Sequence, residues 1–157
     1  MLIALFLSTK NGDVYRREGA KAKVRQDFVA ARQLYLGDAA LKGQPGMVAL
    51  LLDHGARLAA TNRFGNTALL DAALGGNAEV VRLLLARDAA VDARNDLSGT
   101  TALMMATEMG HREAAKVLLE AGANVMLKDG AGRGALDRAR AAANREMVEL
   151  LARASHP

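Results

Sequence analysis

Apolar residues in this chain form a pattern that returns at a fixed interval. Met47-Val48-Ala49-Leu50-Leu51-Leu52 recurs as Val80-Val81-Arg82-Leu83-Leu84-Leu85. It recurs again as Ala114-Ala115-Lys116-Val117-Leu118-Leu119, and last as Met147-Val148-Glu149-Leu150-Leu151-Ala152. The steps are 33, 34 and 33 residues, and self-similarity at such a period marks stacked repeat units. Other positions keep phase with the apolar runs. Gly55-Ala56, Asp88-Ala89 and Gly122-Ala123 follow them. Gly65-Asn66-Thr67-Ala68-Leu69, Gly99-Thr100-Thr101-Ala102-Leu103 and a weaker Gly132-Arg133-Gly134-Ala135-Leu136 precede them.

One unit reads as two helices. Thr67 has a side-chain oxygen suited to a helix N-cap. Leu69, Ala72 and Ala73 give a short helix with a small apolar face. Gly76 ends it, because glycine adopts left-handed dihedrals cheaply. Val80, Val81, Leu83, Leu84 and Leu85 form a second helix, apolar over most of its circumference. A turn carrying Asn62 or Asp96 and a following glycine leads into the next unit. No single unit can bury its own apolar surface, so the units must stack. Composition agrees: 51% of residues are hydrophobic but only 3% aromatic, which leaves the core to Ala, Leu, Val and Met and favours helices over strands.

Together these residues resemble the ankyrin repeat: Asn/Asp-x-x-Gly-x-Thr-x-Leu, Ala-Ala, Gly-Asn or Gly-His, Val-Val-x-Leu-Leu-Leu, then Gly-Ala. The resemblance covers about residues 34–154. It implies an all-α solenoid of helix-turn-helix units joined by short β-turn or hairpin loops. Departures exist. Ala68, Ala102 and Ala135 stand where the family usually has Pro, and Leu70, Met104 and Asp137 where it often has His. Asp88 replaces a turn glycine, and one residue is inserted in the Asn95–Gly99 turn. The units are placed at 34–61, 62–94 and 95–128, between an irregular basic cap at 1–33 and a C-terminal capping repeat at 129–157.

Both caps differ from the middle. The last unit carries Arg138, Arg140, Arg145, Glu149 and Arg153, as a solvated outer face would. At the front, Leu2–Lys10 and the following Gly12-Asp13-Val14 resemble a first unit. Ala20, Val24, Phe28, Ala31 and Tyr35 then fall at helical spacing. The formal net charge of +4 is confined to Val14–Gln33, where six basic residues face two acidic ones. Met1–Leu7 is apolar but lacks the basic flank and small-residue cleavage pattern of a secretory leader, and is read as a packed helix.

The sequence offers little for chemistry. Cysteine is absent, which removes disulfides and cysteine-ligated zinc. His54, His111 and His156 share no metal-ligand spacing. Gly130-Ala131-Gly132-Arg133-Gly134 lacks the preceding strand and following Lys-Ser/Thr of a phosphate loop, so it reads as an inter-repeat turn. Ser8, Ser98 and Ser155 lack a nucleophile-elbow context. No catalytic residue, metal or cofactor is expected.

The family resemblance implies a protein–protein interaction role, with turn tips and first helices lining a concave surface. By position these are Arg63, Phe64, Asn66, Asp71 and Leu74; Leu97, Ser98, Thr100, Met105, Glu108 and Met109; and Arg133 and Arg138. Apolar residues at such sites mark an interaction patch, and Met suits adaptable surfaces. The expected partner is another protein, with the chain itself monomeric and cytoplasmic, or exported if the apolar N-terminus belongs to a cropped signal. Two alternatives remain open. Arg17, Lys21 and Arg25, spaced by four, would form a basic stripe able to hold nucleic acid or an anionic membrane. The chain would otherwise serve as a dedicated inhibitor or immunity-type binder of one enzyme.

Overall fold

The computed structural model describes residues 27–155, with side-chain surroundings from residue 31. The expectations placed on Met1–Leu7, on Leu2–Lys10, on the Arg17, Lys21 and Arg25 stripe and on His156 lie outside the described residues. Among those described, the chain forms eight helices: α1 (Asp27–Leu41), α2 (Pro45–Asp53), α3 (Ala68–Gly75), α4 (Ala78–Ala86), α5 (Ala102–Glu108), α6 (Arg112–Glu120), α7 (Ala135–Ala141) and α8 (Arg145–Ala154). They pair as successive hairpins in two layers. Helices α1, α3, α5 and α7 stack in one layer, and α2, α4, α6 and α8 make the other. No strand occurs among the described residues; a single antiparallel bridge joins Arg94 and Thr101.

Local chemistry starts and stops each helix. The hydroxyls of Thr67 and Thr101 accept from the backbone N–H of Leu70 and Met104 at 3.5 and 3.4 Å, satisfying donors that a helix start leaves free. The last unit has Gly134 at that position. There Asp137, inside α7, takes the Gly134 N–H at 2.8 Å instead. Gly76 caps α3 at φ 74°. A Cβ at Gly76 would also lie 2.5 Å from His111 Nδ1, so glycine is required there twice over. Asp88, the substitute for a turn glycine, has φ 66°, a region Asp visits more readily than most residues.

Small residues bring the first helices close together. Ala39 and Ala40, Ala72 and Ala73, Ala106, and Ala139 are fully buried between them. Leu36, Leu69 and Leu103 fill the space toward the second layer, where Val48, Leu84, Leu118 and Leu151 are buried in turn. Each such aliphatic side chain contributes about 1.5–3 kcal/mol by leaving water.

The front of the array is helical across the start of its first unit, as the spacing of Ala31 and Tyr35 suggests. The 33/34 boundary falls inside α1, which runs unbroken for 15 residues. No glycine or proline interrupts Asp27–Leu36, so nothing stops the helix before the first unit begins. Helix α1 takes the place that α3, α5 and α7 hold in later units.

Candidate functional site

Three turns precede α3, α5 and α7, and each is built around an Asn or Asp. Their ends close by N–H donation from Asn62 to the Asn66 carbonyl (2.9 Å), from Asn95 to Thr100 (2.8 Å) and from Asp129 to Arg133 (3.0 Å). The side chains hold the tips. Asn62 Oδ1 accepts from the N–H of Phe64 and Asn66 at 2.8 and 3.1 Å. Asp129 Oδ1 accepts from Ala131 and Arg133, both at 2.9 Å. In the middle turn this role belongs to Asn95, which corrects the expectation at Asp96: Asn95 Oδ1 accepts from Leu97 N–H and Ser98 N–H at 2.9 and 2.8 Å. Asp96 instead receives the Thr61 hydroxyl at 2.6 Å. The inserted residue turns an i→i+3 closure, Gly65 N–H to Asn62 O, into an i→i+4 closure, Gly99 N–H to Asn95 O. Leu97, in this turn, is 78% exposed.

Successive turns are joined. Asp96 N–H donates to Gly65 O at 3.0 Å and Gly130 N–H to Ser98 O at 2.9 Å. A polar ladder runs beneath them. Asn95 Nδ2 donates to Phe64 O and Asn66 Oδ1 at 2.7 and 2.6 Å. Asn66 Nδ2 and Asn62 Nδ2 each donate to Asp71 at 2.9 Å. At the far end, Ser98 Oγ donates to Thr100 Oγ1 at 2.8 Å, and Arg138 reaches Thr100, Asp129 and Glu108. Arg138 Nε is buried there without a hydrogen-bond partner.

The site residues named from sequence fall into two groups. Arg63, Phe64, Leu97, Ser98, Glu108, Met109 and Arg133 are exposed, and Leu74 and Met105 are half-buried. Asn66, Asp71, Thr100 and Arg138 are buried in the ladder. These four hold the turns in register and support the exposed side chains, and Asp71 also reaches the floor of a groove beside Phe64. Burial explains the electrostatics. Desolvation pushes the Asp71 carboxyl up from 3.8 to about 6, against the lowering effect of Asn66 and Asn62, with nearby Asp38 adding to the rise. The Asp129 carboxyl is held below its ordinary value, chiefly by the Arg133 backbone N–H and further by Arg138.

Sequence reasoning missed Leu34, Asp38, Leu41 and Met126. Leu34 and Leu41 are 44% and 40% exposed, and Met126 is 72% exposed in the linker after α6. A signal for Asp38 existed. Stepping by the repeat period, the same position carries Asp38, Asp71, Met105 and Arg138, so the first layer changes from acidic to basic along its length.

His54, His111 and the second-helix starts are structural. His111 Nε2 bonds Leu74 O at 3.0 Å, and Asn77, one repeat earlier, donates to Ala40 O and Leu41 O at 3.0 and 2.8 Å. Each ties the end of the preceding unit's first helix. His54 Nδ1 lies 2.8 Å from Leu50 O at the end of α2.

Paired helices, phased turn asparagines and inter-unit staples repeat with one period, and residues 36–129 match a family model of three ankyrin-repeat copies. The chain belongs to the ankyrin-repeat family. The match spans more than half of the chain, and α7–α8 continues the same arrangement beyond it. Ankyrin repeats are generally protein–protein interaction modules and typically non-catalytic. No curated protein matches the chain. No described helix of this ankyrin array is long and apolar enough to cross a membrane.

Proposed function

We propose that this array binds a protein partner on the surface formed by its turn tips and first helices, the concave side of an ankyrin stack. One observation carries the reading. Phe64, Leu97 and Met109 are 59%, 78% and 50% exposed on turn tips and at the end of a first helix. Phe64 is braced by Arg63, whose guanidinium lies 4.8 Å from the ring centroid. Leu97 leans toward Gly65, where a Cβ would come 3.2 Å from Leu97 Cγ. Apolar side chains carried on hydrogen-bonded turns lose less entropy on docking than those on loose loops, and apolar anchors dominate interface energies. An exposed apolar cluster with a polar rim fits that role.

The test is capture of the natural partner from cell extract, identified by crosslinking and mass spectrometry. The Phe64→Ala/Leu97→Ala double variant should fold as the parent does and lose at least about tenfold in affinity for that partner. Unchanged capture by the folded variant would place the interface elsewhere.

A further inference from the structure

An open groove of about 350 Å³ lies between α1 and the Asn62 turn. Leu34, Leu41, Phe64 and Leu74 wall it, and Asp38, Asp71 and Arg63 are the charged residues that line it. A hydrophobic slot around carboxylates is an unusual pairing, since apolar walls raise the cost of leaving a charge uncompensated. Asp71 is 4% exposed. Its oxygens accept from two neutral amides, Asn62 and Asn66, and among the described residues no basic side chain forms an ion pair with it. The fold protects this placement. Gly37 lies in the interior of α1, where glycine ordinarily weakens a helix, and a Cβ there would come 2.6 Å from Asp71 Oδ2.

We propose that the groove receives a lysine or arginine side chain from a bound protein segment, its aliphatic stem against Leu34, Leu41, Phe64 and Leu74 and its cation facing Asp38 and Asp71. The inference rests on the reading of this surface as a protein-docking face, and names the chemistry of the partner. Charge complementarity selects a cation over a plain apolar group. The repeat position that is acidic at Asp38 and Asp71 becomes Met105 and then Arg138, already paired with Asp129 and Glu108. At this repeat position only the first two described units carry a carboxylate, so the basic residue of the bound segment lies at the N-terminal end of the array, where it competes with Lys42 for Asp38. The charged groups near Asp71 are Asp38 and Lys42 on α1, paired at 2.8 Å, and Arg63 on its own turn, stacked over Phe64. Because burial raises the Asp71 carboxyl to about 6, cation binding strengthens as pH rises through that value.

Nα-acetyl-lysine methylamide and its uncharged counterpart, Nα-acetyl-norleucine methylamide, are the probes. Each is titrated into the isotopically labelled full chain and followed by amide chemical shifts. At pH 7.5 the lysine probe should shift Leu34, Leu41, Phe64 and Asp71 and bind about tenfold more tightly than the norleucine probe. That preference should fall severalfold in Asp71→Asn, and in the unaltered chain at pH 5, with Asp38 still lining the groove. The pH comparison stands even where Asp71→Asn fails to fold. Equal binding of the two probes at pH 7.5 overturns the proposal, as does a preference unchanged both at pH 5 and in Asp71→Asn. Partner capture lost in Phe64→Ala/Leu97→Ala, with the two probes still bound equally, would remove the cation pocket and leave the docking face standing.

Discussion

Asp71 shows how one buried side chain records its surroundings. Desolvation outweighs two hydrogen bonds and moves its carboxyl up to about 6. The folded chain then holds a proton more tightly than the unfolded chain between pH 3.8 and about 6, so stability from this group is present at low pH and lost as pH rises through that window. Denaturant unfolding at pH 4 and pH 7 should show the parent losing about 1–3 kcal/mol relative to Asp71→Asn. A difference that stays flat with pH contradicts the assignment. Ala143 is a second case. It adopts φ 51° at the repeat position that Gly43, Gly76 and Gly110 fill elsewhere. A left-handed alanine is strained, and Ala143→Gly should raise stability by about 0.5–1 kcal/mol, readable as a higher melting temperature.

Helices in this array owe their stability to what they touch more than to their own length. The described first helices after α1 have 7 or 8 residues, too short to persist alone in water. Each survives through a threonine or Asp137 at its start, a left-handed residue or tight turn at its end, and alanines against the next unit. Helix α4 lies in the second layer, where Leu84 is fully buried and Leu85 is not. Leu84→Ala should cost about 2–5 kcal/mol, and Leu85→Ala distinctly less, when both are compared by urea unfolding. Equal costs would mean that the helix faces a different way. Cross-unit ion pairs such as Arg87–Asp53 and Arg112–Glu146 are exposed at both ends and add little.

At the scale of the whole molecule, contacts run between neighbouring units, and stability is close to a sum of units and their interfaces. Helix α8 buries only Met147 and Leu151 in its 10 residues, and its other face is charged. Hydrogen exchange should therefore be fastest at the end formed by α7 and α8 and slower in α3 to α6. Met147→Ala should release exchange protection in α7 and α8 while α3 and α4 keep theirs. Simultaneous loss of protection along the array would show an all-or-none unit instead. The same linear build separates binding from folding: Phe64 and Leu97 are exposed on the turns, away from the buried alanine stack.

The period, the helix pairs and the glycine and threonine punctuation were legible in the chain, because these depend on residues close together in it. The same pattern also placed Phe64, Leu97 and Met109 on the outside, since tip positions repeat with the helices. Which polar residues of that surface are available follows from the stacking of the units. Asn66, Asp71, Thr100 and Arg138 read as solvent-facing by position, yet their partners lie in the same turn or one unit away, and stacking draws them into a buried ladder. The groove by Asp71 has the same origin. Leu34, Asp38 and Leu41 become neighbours of Phe64 only when α1 packs on α3, a contact about one repeat apart in sequence that no local pattern encodes.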